Sequence, residues 1–326
     1  MTDQTIYRHT RCIQCLSDSP LTEEHVFADG AGGTITAYIL CTTCNGHFGV
    51  NVDSPYLRQP MIELARNALR IGGRRNVIPQ PLKGPYVLPG PIGESMIKLD
   101  IDFKPRVTPQ VEDVVITEDG AISITMVIDS QDRDKIPGIV RSKFERFFKS
   151  ERGMTLAWSE KEQEHAITST IDKYMRAPDN ETPVGVLTGQ MTMDLGTLFL
   201  EAAKAAFEMA AIEDGEAFVD SPEAANFREL LARVIKGRIE DLFGFVDMLK
   251  AFRATPLPAD SQVALGIQWL TDGKAIEHHV AILNGRHVVI SMFGDGYIFS
   301  NLRPASGQRA IYVNNAVTGS IRCIRD

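Results

Sequence analysis

Hydrophobic residues recur at helical spacing in four stretches of the chain and form shorter runs elsewhere. The first predicted helix begins at Ser54, where Ser-Pro precedes apolar residues three and four positions apart, and ends at Gly72-Gly73. The same spacing predicts helices at 139–148, 195–211 and 224–236. The shorter runs predict strands at 96–103, 111–117, 121–128, 275–283, 287–293 and 297–302, with hairpin turns at 284–285 and 294–296.

Two segments fit neither pattern and divide the chain. Residues 9–53 contain four of the five cysteines, so short strands and loops around a metal are expected there. Residues 76–93 contain five prolines, which disfavour both a helix and a central strand. We therefore expect a module at 1–76, a linker at 77–93 and a larger domain of mixed helices and strands at 94–326. The expected fold class is α+β.

Composition and charge narrow the class of protein. Hydrophobic residues make up 44% and charged residues 23%, which is typical of a folded protein. No apolar run reaches the roughly 18 residues of a membrane span and no secretory signal begins the chain, so we expect a cytoplasmic protein with no membrane contact. The formal charge of −8 is unusual for a nucleic-acid binder, but residues 1–76 carry seven basic and seven acidic side chains. The excess acidity therefore lies outside the module.

Four cysteines form two Cys-x-x-Cys pairs, Cys12/Cys15 and Cys41/Cys44. In a reducing compartment such pairs favour metal binding over disulfides. Two pairs can supply the four thiolates of one tetrahedral Zn²⁺, and a closed four-thiolate site leaves no open position for catalysis. We therefore expect a structural zinc ion that supplies much of the folding free energy of the module.

The residues around these cysteines form a motif. Glu24-His25 and Gly32-Gly33 lie between the two pairs, and Asn45 directly follows the second pair. In this order the motif resembles the HNH endonuclease family, in the branch with four cysteines, a Glu-His pair and Cys-x-x-Cys-Asn. The resemblance covers about residues 10–57. It implies a ββα-metal fold in which a β-hairpin carries the Glu-His pair and a helix follows.

The resemblance also implies the roles of three residues. His25 would be the general base that deprotonates a water molecule, while Glu24 and Asn45 would hold one Mg²⁺ or Mn²⁺ against the scissile phosphate. Oxygen ligands suit such a hard cation, and a neutral imidazole can accept a proton at physiological pH. His47 is the alternative ligand. Residues two apart in a helix point about 200° from each other, so only one of Asn45 and His47 can face the ion.

The motif departs from the family pattern at two places. Residues 35–38 stand where the family commonly has an asparagine that orients the base, so Thr36 or a backbone carbonyl is expected to orient His25. Ala28 stands where the family often has a proline, a change that touches no chemistry.

Several polar residues outside the motif are further candidates for a functional role. Asp53 precedes Ser-Pro and is interpreted as a helix N-cap rather than a third carboxylate ligand. Arg70, Arg74 and Arg75 form a cationic cluster that is a candidate for phosphate binding, although solvated charge is the simpler interpretation. His278 and His279 are neighbours in a predicted strand and therefore point to opposite faces, which favours structural roles.

Three functions remain open. We expect a metal-dependent endonuclease that hydrolyses phosphodiester bonds of DNA, with the domain at 94–326 as a sensor, specificity or homo-oligomerisation element. An N-terminal HNH module on an unrelated domain resembles bacterial restriction or anti-phage effectors. One alternative is a zinc-ribbon nucleic-acid-binding protein without hydrolytic activity. Another is a small-molecule enzyme at 94–326, where we find neither a Gly-rich phosphate loop nor a nucleophile elbow.

Overall fold

The computed structural model describes residues 7–90, 93–118, 121–179, 191–235, 255–256, 261–299, 303 and 307–325. Within these ranges the helices are α1 (Thr42–Phe48), a π-helical turn (Gly49–Asp53), α2 (Ser54–Leu57), α3 (Pro60–Ala68), α4 (Ile136–Phe148), α5 (Glu151–Met154), α6 (Glu160–Arg176), α7 (Leu195–Val219), α8 (Pro222–Ile235) and α9 (Gln262–Leu270). None of these described helices is long and apolar enough to cross a membrane.

The strands fall into five small or medium sheets, which confirms the α+β class. They are β1 (Tyr7–Arg8), β2 (Leu21–His25), β3 (Thr36–Cys41), β4 (Tyr86–Gly90), β5 (Gly93–Leu99), β6 (Pro105–Val107), β7 (Gln110–Val111), β8 (Val115–Ile116), β9 (Ile122–Ser123), β10 (Met126–Val127), β11 (Thr255–Pro256), β12 (His278–Asn284), β13 (His287–Met292), β14 (Asp295–Phe299), β15 (Ala310–Asn315) and β16 (Ile321–Arg325). Residues 236 and 300–302, at the ends of two predicted elements, lie outside the described residues.

The cysteine segment has the expected ββα arrangement. Strands β2 and β3 form an antiparallel hairpin in which Glu24 pairs with Ala37 and His25 pairs with Thr36. Helix α1 starts directly after β3, with Cys41 as its N-cap residue. Strand β1 adds to the other edge of β3 in parallel. The local sequence thus places the Glu-His pair at the end of one strand and the second cysteine pair at the start of a helix.

The helix predicted from Ser54 to Gly72 is interrupted. It is divided into α2 and α3, and Pro60 is the first residue of α3. The break has a local cause, because proline has no backbone N–H to continue a helix and its ring disfavours helical geometry in the residue before it. Gln59 accordingly has an extended backbone, with φ −64° and ψ 132°.

Helix α7 is the central element of the C-terminal part. Its residues from Thr197 to Ala211 are all buried. On one side α7 packs against strands β12, β13 and β14 of a six-stranded antiparallel sheet, and on another it packs against α2 and the π-helical turn. A helix that is enclosed on all sides is expected to be apolar around most of its circumference, and α7 is rich in Ala, Leu and Phe.

The chain folds as two compact units whose boundaries differ from those expected. The first unit combines the residues up to Pro81 with those from Met191 onward, and the second comprises Leu82–Gln190. One hydrophobic core in the first unit contains Phe48 of the cysteine segment, Phe207 of α7 and Ile290 of the sheet. The expected single domain at 94–326 is therefore split, because its last part packs with the N-terminal segment. The boundary after Pro81 falls within the expected linker at 77–93, but β4 (Tyr86–Gly90) occupies part of that stretch as an edge strand of the second unit.

The second unit has its own core. Helices α4 and α6 pack together, and their inner faces contribute Phe144, Phe148 and Ile167 to a separate hydrophobic cluster. Helix α6 begins with a capping box in which Ser159 and Glu162 satisfy each other's backbone N–H groups. Short antiparallel strands complete this unit: β4, β5 and β6 form one sheet, β7 pairs with β10, and β8 pairs with β9. The three strands predicted at 96–103, 111–117 and 121–128 are therefore present only as shorter pieces.

The shared core predicts how the cysteine segment unfolds. Phe207 has no exposed surface, so Phe207→Ala should lower the free energy of unfolding by about 3–5 kcal/mol. Chemical denaturation should show the cysteine thiols becoming reactive at a lower denaturant concentration than in the wild type. Phe144→Ala removes an equally buried ring from the second unit and is the control, which should not change this midpoint. Unchanged thiol exposure in Phe207→Ala would contradict a shared core.

Candidate functional site

The two cysteine pairs converge on one point. The Sγ atoms of Cys12, Cys15, Cys41 and Cys44 all lie within 4.8 Å of one another, and those of Cys15 and Cys41 are 3.8 Å apart. Tetrahedral Zn–S bonds of about 2.3 Å place neighbouring sulfur atoms roughly 3.8 Å apart. The cluster therefore fits a four-thiolate zinc ion. No other group of His, Cys, Asp and Glu in the described part of the chain has such close ligand spacing.

The thiols of this cluster differ in acidity. Burial raises the pKa of Cys12, and for Cys44 the neighbouring thiols add to the effect of burial. Burial acts on Cys15 too, but hydrogen bonds from the Ser17 side chain and backbone bring the pKa of Cys15 down to about 6. One thiolate thus forms readily near neutral pH, whereas deprotonation of the buried thiols requires a bound cation.

A cavity of about 420 Å³ lies beside the hairpin. Glu24, His25 and Asn45 all line it, so the structure brings the three motif residues to one place. The wall also includes Asp29 and Asp53. Carboxylate and amide oxygens are ligands that Mg²⁺ and Mn²⁺ accept, so the donor set of the cavity fits a hard cation.

The partner of His25 is an aspartate rather than the expected Thr36 or a backbone carbonyl. The Nε2 atom of His25 is 3.8 Å from Asp29 Oδ1, a distance at which a carboxylate stabilises an imidazolium without a direct hydrogen bond. Asp29 in turn accepts a hydrogen bond of 2.8 Å from Arg74 Nε. Asp29 is not part of the motif, because it lies in the short turn after β2, four residues beyond the base.

That loop is held from the C-terminal sheet. Asn314 donates to the Gly32 carbonyl oxygen and accepts from the Thr34 N–H, at 3.1 and 2.6 Å. A Cβ atom on Gly32 would lie 2.3 Å from the Ala316 carbonyl oxygen, so the close approach of the two segments requires glycine there. His279 donates to the Ala31 carbonyl oxygen, and its burial lowers its pKa to about 4. The two histidines of β12 thus have structural contacts, since His278 bonds the Lys274 carbonyl.

Asn45 and His47 have different surroundings. The Nδ2 group of Asn45 donates to Thr22 Oγ1 and to the Glu23 carbonyl oxygen, at 3.1 and 2.8 Å. These two hydrogen bonds fix the amide and use only its nitrogen, which leaves Oδ1 as the atom for a cation. His47 is exposed and is not among the described residues that line the cavity.

The basic residues near the cavity are only partly those expected. Arg74 and Arg75 line it, whereas the exposed Arg70 is not among the described lining residues. Arg66 of α3 also lines the cavity, and its burial lowers its pKa despite the nearby Glu63. Guanidinium groups favour phosphate through paired hydrogen bonds, so the cavity lining includes groups that suit an anion as well as groups that suit a cation.

Asp53 stands at the expected N-cap position of α2, but its side chain does not cap the helix. No side-chain capping bond forms at the start of α2. Instead Asp53 Oδ1 accepts a hydrogen bond of 2.8 Å from the ammonium group of Lys204 in α7. The same ammonium group is 2.7 Å from Glu24 Oε1.

Lys204 was missed in the sequence, although a signal for it exists. Glu201, Lys204 and Glu208 are three and four residues apart, so they share one face of a helix that is otherwise apolar. All three have no exposed surface. Because charged residues are rarely buried without a partner, such a stripe in an apolar helix indicates a polar site opposite it.

With this geometry the class of the N-terminal segment is defined: a four-cysteine ββα module whose Glu-His pair lies in an oxygen-rich cavity. Residues 12–61 match the family model described as HNH endonuclease. The segment is therefore an HNH endonuclease-type module, as its motif predicted. No curated protein and no solved structure gives a significant match to the chain.

The cysteine cluster predicts that the protein binds one zinc ion and that a single cysteine substitution abolishes this binding. Cys41→Ser should abolish stoichiometric zinc, measured by elemental analysis of purified protein, because a hydroxyl is a far weaker ligand than a thiolate. The module should lose order with the metal. Cys323→Ser is the control, since Cys323 lies outside the cluster and its loss should leave zinc at one ion per chain. Full zinc occupancy in Cys41→Ser would show that the cluster is not the metal site.

Proposed function

We propose that the protein is a metal-dependent endonuclease that hydrolyses phosphodiester bonds of DNA within the module at residues 12–61. One observation carries this proposal: Glu24, His25 and Asn45 line the same cavity, together with Arg66, Arg74 and Arg75. A base, oxygen ligands and guanidinium groups around one space are the components that phosphodiester hydrolysis requires. A purely structural zinc ribbon has no need for this combination.

In this proposal His25 is the general base. Its side chain is about one-fifth exposed, so it reaches the cavity while its strand is held in the hairpin. His25 accepts a proton from the attacking water, and the nearby Asp29 carboxylate stabilises the resulting imidazolium. Arg74 holds Asp29 in place from the other side.

Glu24 and Asn45 Oδ1 are the proposed ligands of Mg²⁺ or Mn²⁺. A hard cation bound there supplies positive charge to the phosphate oxygens. Arg66, Arg74 and Arg75 bind the flanking phosphates and orient the backbone of the substrate. The zinc ion has no role in this chemistry, because its four thiolate ligands leave no open position.

The cellular setting is also part of the proposal. Five free cysteines fit the reducing cytoplasm. We propose a role as a bacterial restriction or anti-phage effector, in which the parts of the chain outside the module act as a sensor, specificity or homo-oligomerisation element.

The test is cleavage of supercoiled plasmid in the presence of Mg²⁺ or Mn²⁺. Loss of a general base typically slows a reaction 10²–10⁴-fold, so His25→Ala should nick the plasmid at least about 100-fold more slowly. Zinc content and DNA affinity should stay unchanged, because the side chain of His25 supplies no ligand of the cysteine cluster and is not among the described residues of the hydrophobic core. His165→Ala, an exposed histidine in the second unit, is the matched control and should cut at the wild-type rate.

Equal rates for His25→Ala and the wild type would reject the nuclease assignment to this module. If neither protein cuts but both bind DNA, a zinc-ribbon nucleic-acid-binding protein replaces the proposed enzyme.

A further inference from the structure

The side chain of Lys204 reaches from α7 into the nuclease module. Its Nζ atom is 2.7 Å from Glu24 Oε1 and 2.8 Å from Asp53 Oδ1, and it donates to the His25 carbonyl oxygen at 3.1 Å. Two of these contacts are hydrogen bonds, to Asp53 Oδ1 and to the His25 carbonyl oxygen, and the contact with Glu24 Oε1 is an ion pair. Lys204 has no exposed surface, so water does not compete for these contacts.

Two further carboxyl groups surround this ion-pair cluster. Glu201 Oε1 accepts a hydrogen bond of 3.2 Å from the Ala28 N–H, whereas neither oxygen of Glu208 has a hydrogen-bond partner among the described residues. Complete burial raises the pKa of both glutamates well above the usual range, and the carboxylate of Asp53 adds to this effect. The two ion pairs of Lys204 among the described residues are with Glu24 and Asp53.

We propose that Lys204 is a positioning residue of the nuclease site, which holds the metal-binding carboxylate of Glu24 and the backbone of His25 in the geometry that hydrolysis needs. This inference rests on the proposed function. Lys204 lies far outside the matched residues 12–61, so the module depends on α7 for its active geometry.

Two carboxylates with the same negative charge lie close together at this largely buried place. Glu24 and Asp53 repel each other, and both approach the cavity from different elements, β2 and the π-helical turn. In a medium of low polarity this repulsion is strong unless a cation lies between them. Lys204 supplies that cation from within the chain. The Nζ atom of Lys204 also donates a hydrogen bond to the His25 carbonyl oxygen, so the strand that bears the base is held by the same ammonium group.

The test measures Mn²⁺ binding to the full-length, zinc-loaded protein. Free Mn²⁺ is quantified by its electron paramagnetic resonance signal. Removing an outer partner of a metal ligand typically weakens metal binding 10–100-fold, so Lys204→Met should raise the dissociation constant for Mn²⁺ at least about 10-fold. Plasmid cleavage by Lys204→Met should then recover as the Mn²⁺ concentration is raised, because the general base His25 is intact. Arg303→Met is the matched control, since it removes a fully buried cation that pairs with Asp214 away from the cavity. It should leave Mn²⁺ binding unchanged.

Three results would overturn the inference. Unchanged Mn²⁺ affinity in folded Lys204→Met would show that Lys204 is only structural. Tighter Mn²⁺ binding by this variant would show that Lys204 competes with the metal. Absence of Mn²⁺ binding by the wild type would show that the cavity is not a metal site. If Lys204→Met does not fold, the variant Lys204→Met/Glu208→Gln removes an adjacent acid as well and gives the same comparison. A wild type that binds Mn²⁺ but cuts no DNA would reject the proposed function alone.

Discussion

The burial of α7 from Thr197 to Ala211 is the constraint on which the rest of the structure depends. The N-terminal module is too small to enclose a core by itself, and its inner residues such as Phe48 and Tyr56 join the same hydrophobic cluster as α7. The sheet covers α7 from the other side. Because this helix is enclosed by both, its polar residues must find partners in the interior. Lys204 does so in the module, where it meets Glu24 and Asp53. Packing and site geometry are thus two results of the same arrangement.

This arrangement separates two kinds of metal chemistry within about fifty residues. The four thiolates fix the turn after Cys12 and the start of α1, and they leave Asn45 one residue beyond the cluster. The oxygen-lined cavity lies on the other side of Asn45, with Glu24 and His25 from the hairpin. A soft and a hard cation would each find the ligands they prefer; in the proposed function, zinc would support the shape of the site and take no part in its chemistry.

Local sequence features predicted the local structure. The cysteine spacing and the Glu-His pair identified the ββα module, and apolar periodicity placed α4, α7 and α8. The break before Pro60 could have been predicted from the sequence, because a proline there disfavours continuation of the first helix. The grouping of residues up to Pro81 with those from Met191 onward could not be predicted in this way, because it depends on contacts between segments more than a hundred residues apart. Asp53 shows the same limit: it was interpreted from its neighbours, Ser-Pro, whereas its actual partner is Lys204.

The position of the hard cation tests the account most directly. Crystals of the protein soaked in Mn²⁺ would reveal the ion by its anomalous scattering. The account places one peak within about 2.2 Å of a Glu24 carboxylate oxygen and of Asn45 Oδ1, inside the cavity that His25 lines, with Lys204 still in contact with Glu24. A peak on His47 instead, or no peak in the cavity while the protein cuts DNA in the presence of Mn²⁺, would contradict it.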